Sequence, residues 1–132
     1  MARARKAKEI SFTMPNKPGL LSEVTTAIAG EKVNITAICA YAMGNTAYFM
    51  LTTASNVKAK KTLAPFGVTI EERDVVEVEL LNMPGELQKI AKRIANAGID
   101  IEYMYATAGA GKSTTCVFKT ADDQRTIKVI NK

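Results

Sequence analysis

Apolar and polar residues alternate over Ile10-Ser11-Phe12-Thr13-Met14, the pattern of a strand with one buried face. Asn16-Lys17-Pro18-Gly19 ends the alternation. Leu20, Leu21, Val24 and Ile28 then recur at the spacing of an amphipathic helix. Pro18 suits a first helical turn, where the N–H it lacks would have no partner. Val33 to Met43 reads as a second strand, Gly44-Asn45 as a turn and residues 47–53 as a third strand. Asn56 is placed to cap a short helix through Leu63, Pro65 to stop it, and Gly67-Val68-Thr69-Ile70 to begin a fourth strand. The predicted order is β-α-β-β-α-β. That is a ferredoxin-like unit with two helices on one face of an antiparallel sheet.

The pattern then recurs. Residues 10–19 and 76–85 are both alternating strands ending in Asn-x-Pro-Gly, 66 positions apart. Leu21 matches Leu87, Ile28 matches Ile94, Ile35 matches Ile101 and Ala40 matches Ala106. After one inserted residue, Thr53-Ala54 matches Thr120-Ala121. The first helix of the second unit ends in Ala97-Gly98, a left-handed stop. Lys32 holds the matching place in the first unit, so a looser helix end is expected there. After the strand at Ser113-Phe118, Asp122 or Asp123 can cap a helix bearing Ile127 and Ile130 on one side. No fourth strand comes after it in the sequence. The expected fold is α+β, two ferredoxin-like units at residues 9–72 and 73–132, the second truncated at its C-terminus. Polar residues alternating along 10–14 and 76–81 imply a partly solvated outer sheet face.

Charge sharpens the boundaries. The net charge is +5, but Arg3, Arg5, Lys6 and Lys8 supply four positive charges at the start, and the remainder holds 14 basic and 13 acidic residues. Residues 1–8 are therefore expected to be a basic, disordered tail, not part of a basic folded face. Glu71-Glu72-Arg73-Asp74 reads as a solvated linker. Histidine is absent, which removes the commonest general base and metal ligand, and no carboxylate pair faces a nucleophile. Neither a catalytic site, a metal site nor a cofactor is expected. Cys39 and Cys116 lie in apolar runs and are expected to be buried free thiols of a cytoplasmic protein.

The run Asn-Lys-Pro-Gly-Leu-Leu-Ser-Glu-Val followed by Val-Asn-Ile resembles the opening of an ACT domain. Asn-Met-Pro-Gly-Glu-Leu followed by Ala-Gly-Ile-Asp-Ile resembles it again, and the likeness extends over residues 9–130. It implies a non-catalytic regulatory module that binds a free amino acid or similar ligand between paired ACT units, near the loop from first strand to first helix. Carried onto this chain, the ligand-binding residues are Asn16, Lys17, Pro18, Gly19 and Leu20, and Asn82, Met83, Pro84, Gly85 and Glu86. The start of the second strand adds Asn34 and Ile35, and Asp100 and Ile101. A homodimer is expected, and a metabolic enzyme regulated in trans. Elementary chemistry supports such a loop: glycine lets backbone approach a ligand, helix-start N–H groups favour a carboxylate, and asparagine both donates and accepts.

Other function classes compete. A module with dead pockets would serve interaction alone. Residues 106–113, Ala-Thr-Ala-Gly-Ala-Gly-Lys-Ser, come close to a phosphate-binding loop, but the residues after them are β-branched where a helix is required. A glycine-rich hairpin is expected there. RNA-recognition domains share the element order, yet Tyr48 and Phe49 are adjacent and must face opposite ways. Tyr103 and Tyr105 can share a face, and packing is their expected role.

Overall fold

The alternation at residues 10–14 is part of a longer strand than it predicts. In a computed structural model, which describes residues 2–107 and 110–132, β1 runs Arg3–Pro15. It is followed by α1 (Leu20–Gly30), β2 (Ile35–Met43), β3 (Thr46–Thr53) and α2 (Asn56–Leu63). After a 3-10 turn (Ala64–Phe66) come β4 (Glu71–Leu81), α3 (Glu86–Asn96), β5 (Ile101–Thr107), β6 (Ser113–Thr120) and α4 (Asp123–Asn131).

The chain divides into two units. One is Lys8–Arg73, and the other joins the residues up to Ala7 to Asp74–Lys132. In the first, β2, β3 and β1 lie in that order, with the opening residues of β4 beside β1. In the second, β5, β6 and β4 lie in that order, with the opening residues of β1 beside β4. Both are complete ferredoxin-like, α+β arrangements.

Two expectations are corrected by this. The second unit has a fourth strand, and the supposed disordered tail provides it. Ala4 packs with Val76, Val78, Ile90 and Phe118 in that unit's core, only 5% exposed. Its N–H donates to Asn131 Oδ1 at 2.7 Å and its carbonyl accepts from Asn131 Nδ2 at 2.9 Å. Arg5 pairs with Glu77. The basic residues at 3 and 5 are the exposed positions of an alternating strand whose inward residue is a small alanine. The charge run at 71–74 is likewise no linker. It opens β4, where Glu72 accepts from Lys60 Nζ (3.0 Å) and Asn56 Nδ2 (3.3 Å). Residues 67–70 precede that strand and do not form it.

Local signals fare variously. Ser55, not Asn56, caps α2, its Oγ accepting from the Lys58 N–H. Asn56 instead holds the strand ends through Thr53 and the Lys8 carbonyl. Pro65 lies inside the 3-10 turn, where its fixed φ is tolerated. Lys32 adopts φ 57, and the end of α1 closes much as that of α3 does at Gly98 (φ 69). Val33 N–H donates to Ile28 O as Ile99 N–H does to Ile94 O, so the looser end expected at Lys32 is not seen.

Each unit has its own core. Ile10, Phe12, Val24, Ile28, Phe49, Leu51 and Leu63 build the first, with Phe12 and Phe49 stacked at 5.0 Å. Val76, Val78, Ile90, Ile94, Phe118 and Ile130 build the second. Its helices are tied by arginines: Arg125 donates to Ala97 O and Arg93 to Ile130 O, both at 2.8 Å. These satisfy C-terminal carbonyls that a helix leaves without internal partners. Cys116 is buried, and burial pushes its thiol pKa up, whereas Cys39 is half-buried and not fully enclosed as expected.

Candidate functional site

Pro15 ends β1 opposite Thr46, and the chain crosses to α1 through Asn16–Gly19. The Asn16 N–H donates to Asn45 O at 2.7 Å, which ties this crossing to the β2–β3 turn. Gly19 reaches φ 85 as the residue before the helix, a conformation that would strain any side chain. No side chain caps α1. The Leu20 N–H donates to Lys17 O at 3.4 Å, and the N–H groups of Leu21 and Ser22 remain for an outside acceptor. Lys17 Nζ lies 3.2 Å from Glu23 Oε2, with both side chains well exposed.

A cavity of about 290 Å³ opens against this loop. Leu20, Ala47 and Phe49 are its buried apolar lining, and Leu21, Ala40, Tyr41 and Ala42 complete the wall. Asn16, Lys17 and Gly19 bring its polar groups. The hollow exists because β2 and β3 put alanines where longer side chains would reach α1. Ala40 is paired with Phe49 and Ala42 with Ala47. β2 is an edge strand, so one side of the hollow is open.

Of the residues expected in the first unit's site, Asn16, Lys17, Gly19 and Leu20 line the cavity, while Pro18 does not. Asn34 and Ile35 lie at the opposite end of β2, about 26 Å along the strand from Met43. Asn34 O is engaged there by the Ala54 N–H at 2.9 Å. Within the first unit they do not join the loop. Leu21, Ala40, Tyr41, Ala42, Ala47 and Phe49 were missed by sequence reasoning, and the alanines at 40, 42 and 47 were the signal available.

The corresponding loop of the second unit, Asn82 to Gly85, has the same backbone. Asn82 N–H donates to Lys112 O (2.8 Å) and Gly85 has φ 87. Its side chains differ. Asn82 Nδ2 donates to Gly111 O at 3.1 Å. Glu86 begins α3 with its carboxylate 2.9 Å from Lys89 Nζ, a hydrogen bond that holds the carboxyl below the usual range. Met83 is largely exposed. Asp100 and Ile101 again lie at the far end of their strand, where Asp100 O accepts from Ala121 N–H.

The rival features resolve differently. Ser113 begins a strand, not the helix a phosphate-binding loop needs, and residues 108 and 109 of that segment lie outside the described residues. Tyr41 stacks on Tyr48 at 5.0 Å, Tyr103 on Tyr105 at 6.5 Å, and Phe49 is in the core. A larger cavity, about 410 Å³, lies between the ends of α3 and α4, lined by Arg93, Asn96, Ala97, Val129 and Lys132. Its arginine is already committed to helix carbonyls. No helix among the described residues is long and apolar enough to cross a membrane.

A family model describing an ACT domain pair matches residues 6–132. Among solved structures, protein BT0572 from Bacteroides thetaiotaomicron is 30% identical, with a TM-score of 0.87 over 97% of this chain and 88% of its own. The regulatory subunit of aspartate kinase from Thermus thermophilus, in a ligand-free form, is 17% identical with a TM-score of 0.73, covering 95% of this chain and 91% of its own. Aspartokinase III of E. coli, in complex with aspartate and ADP, is 13% identical with a TM-score of 0.62, covering 98% of this chain but 31% of its own. These last two share the fold. No curated protein matches the chain.

Proposed function

This chain belongs to the ACT domain pair family, and on that premise we propose that it is a non-catalytic regulatory module binding a free amino acid, or a similar small ligand, against the Asn16–Gly19 loop. The observation that carries this reading is the cavity at an uncapped helix start, with an asparagine and a lysine at its polar end. An α-carboxylate suits the first-turn N–H groups of α1 and the Lys17 ammonium. An α-ammonium suits the Asn16 carbonyl oxygen. A volume near 300 Å³ is at the small end for ligand pockets and fits one amino acid better than a dinucleotide.

Regulation then acts in trans, on a metabolic enzyme that the ligand-bound module recognises. The open edges of β2 and β5 favour pairing with a second copy, so a homodimer is the expected state. Two free thiols suit a reducing cytoplasm.

Thermal melting against the twenty amino acids, ATP and a short RNA tests the proposal. A ligand at 100 times its dissociation constant adds about 2.7 kcal/mol. A rise with one or a few amino acids supports the reading. A rise with ATP or RNA alone overturns it, and no rise at all leaves an interaction module without a ligand.

A further inference from the structure

The two loops are built alike but are not equally free to bind, and the difference points to a ligand class. Resting on the amino-acid reading above, we infer that the chain binds one amino acid per copy, in the first unit, and that this amino acid has an uncharged, apolar side chain.

The lining carries the argument for the side chain. Lys17 is the one charged residue among the ten that line the cavity, and it lies at the loop end with Asn16. Everything else around the hollow is apolar apart from backbone and the Tyr41 hydroxyl. Phe49 and Leu20 are 3% and 4% exposed, so the lining belongs to the hydrophobic core. Leu21 and Tyr41 are 53% and 45% exposed, apolar surface that an apolar ligand would cover. A charged ligand side chain would lose its water here and gain no partner. A branched aliphatic or aromatic side chain loses little and covers the exposed wall.

The partners of the loop residues carry the argument for one site. In the first unit the Asn16 side chain has no hydrogen bond within the described residues, and its carbonyl oxygen and amide remain for a ligand. In the second unit the Asn82 amide is committed to Gly111 O. Where the first unit starts its helix with Leu20, the second has Glu86, whose side chain is only 15% exposed. Glu86 thus puts a carboxylate at the first residue of α3, where it competes with a ligand carboxylate for the positive end of the helix, whereas α1 carries its first-turn acid, Glu23, three residues further on, paired with Lys17 at 3.2 Å. Met83 replaces Lys17 and removes the attracting charge.

Calorimetric titration of the full chain with leucine, isoleucine, valine, phenylalanine, lysine and aspartate tests this. The expected result is one site per chain, with an apolar amino acid bound at least about 100-fold more tightly than lysine or aspartate. Ala40→Asp, at an exposed position on the cavity wall, should weaken apolar binding by about tenfold or more while circular dichroism stays unchanged. Glu86→Leu should leave the affinity unaltered. Tighter binding of a charged amino acid, or two equal sites per chain, overturns the inference while the amino-acid reading stands. If none of these six binds while another amino acid raises the melting temperature, this inference alone is overturned; if none of the twenty raises it, the reading itself fails and this inference falls with it.

Discussion

The hydrogen bonds between Ala4 and Asn131 make the borrowed strand testable with one substitution. Residues 3–7 have β4 on one side only, so the N–H and carbonyl of Ala4 point out from the other edge. The amide of Asn131 meets both, at 2.7 and 2.9 Å. Asn131→Ala removes both bonds and leaves two backbone groups of a nearly buried residue without a partner. Each such bond contributes about 0.5–1.5 kcal/mol net, and an orphaned group costs more where water cannot reach it. Asn131 itself is exposed, so water can replace part of the loss. The expected cost is about 2 kcal/mol, or about 10 °C in melting temperature for a unit of this size. Urea unfolding supplies the energy. Labelling of Cys116, 1% exposed in the same unit, should accelerate in the variant while labelling of Cys39 in the first unit does not. Lys128→Ala on the same helix is the control, expected within about 0.5 kcal/mol of the parent. If Asn131→Ala matches that control and Cys116 stays protected, the N-terminal strand does not hold the second unit together, and the reasoning is refuted.

Other outcomes rest on single features. Lys32→Gly should stabilise the chain by about 0.5–1 kcal/mol in urea unfolding, because a left-handed φ of 57 strains a lysine by more than glycine loses in unfolded-state entropy. Gly19→Ala places a Cβ at φ 85 and should cost about 1–2 kcal/mol, together with loss of amino-acid binding in the thermal melts; an unchanged melt and retained binding would show that the loop tolerates another geometry. Ser55→Ala should cost about 1 kcal/mol in urea unfolding through loss of the α2 cap. The hydrogen bond from Lys60 holds the Glu72 carboxyl below its ordinary value, so its contribution is present at neutral pH and is lost as pH falls through the depressed folded value. Stability measured from pH 6 down to pH 3 should fall less steeply in Glu72→Gln than in the parent. In the folded protein at pH 8, a thiol reagent should modify Cys39 and spare Cys116, whose thiolate is disfavoured by burial.

Where each residue's own neighbours decide its conformation, the sequence was readable. The alternation at 10–14 and 76–81, the spacing of Val24 and Ile28, and the left-handed stop at Gly98 all act within one element. The Asn-x-Pro-Gly loop belongs to the same class. The features that escaped depended on partners far along the chain. A run of four basic residues looks solvated unless Asn131 and Glu77 are known to receive Ala4 and Arg5. The charges at 71–74 look like a linker unless Lys60 and Asn56 are known to meet Glu72. The cavity escaped for a third reason. It is made by what Ala40, Ala42 and Ala47 lack, and small residues in a strand predict no gap until the helix opposite is in place.

The exchange of strand ends also imposes an order on the making of this protein. Asn131 is synthesised 127 positions after Ala4. The first of the two units in sequence can complete itself once β4 has begun to emerge. The other must wait, holding an unmatched strand edge until α4 has been made. Contacts this distant make for slow closure and a longer exposure to wrong partners. The charges on Arg3 and, before it meets Glu77, on Arg5 would serve the nascent chain by keeping that waiting edge from pairing elsewhere.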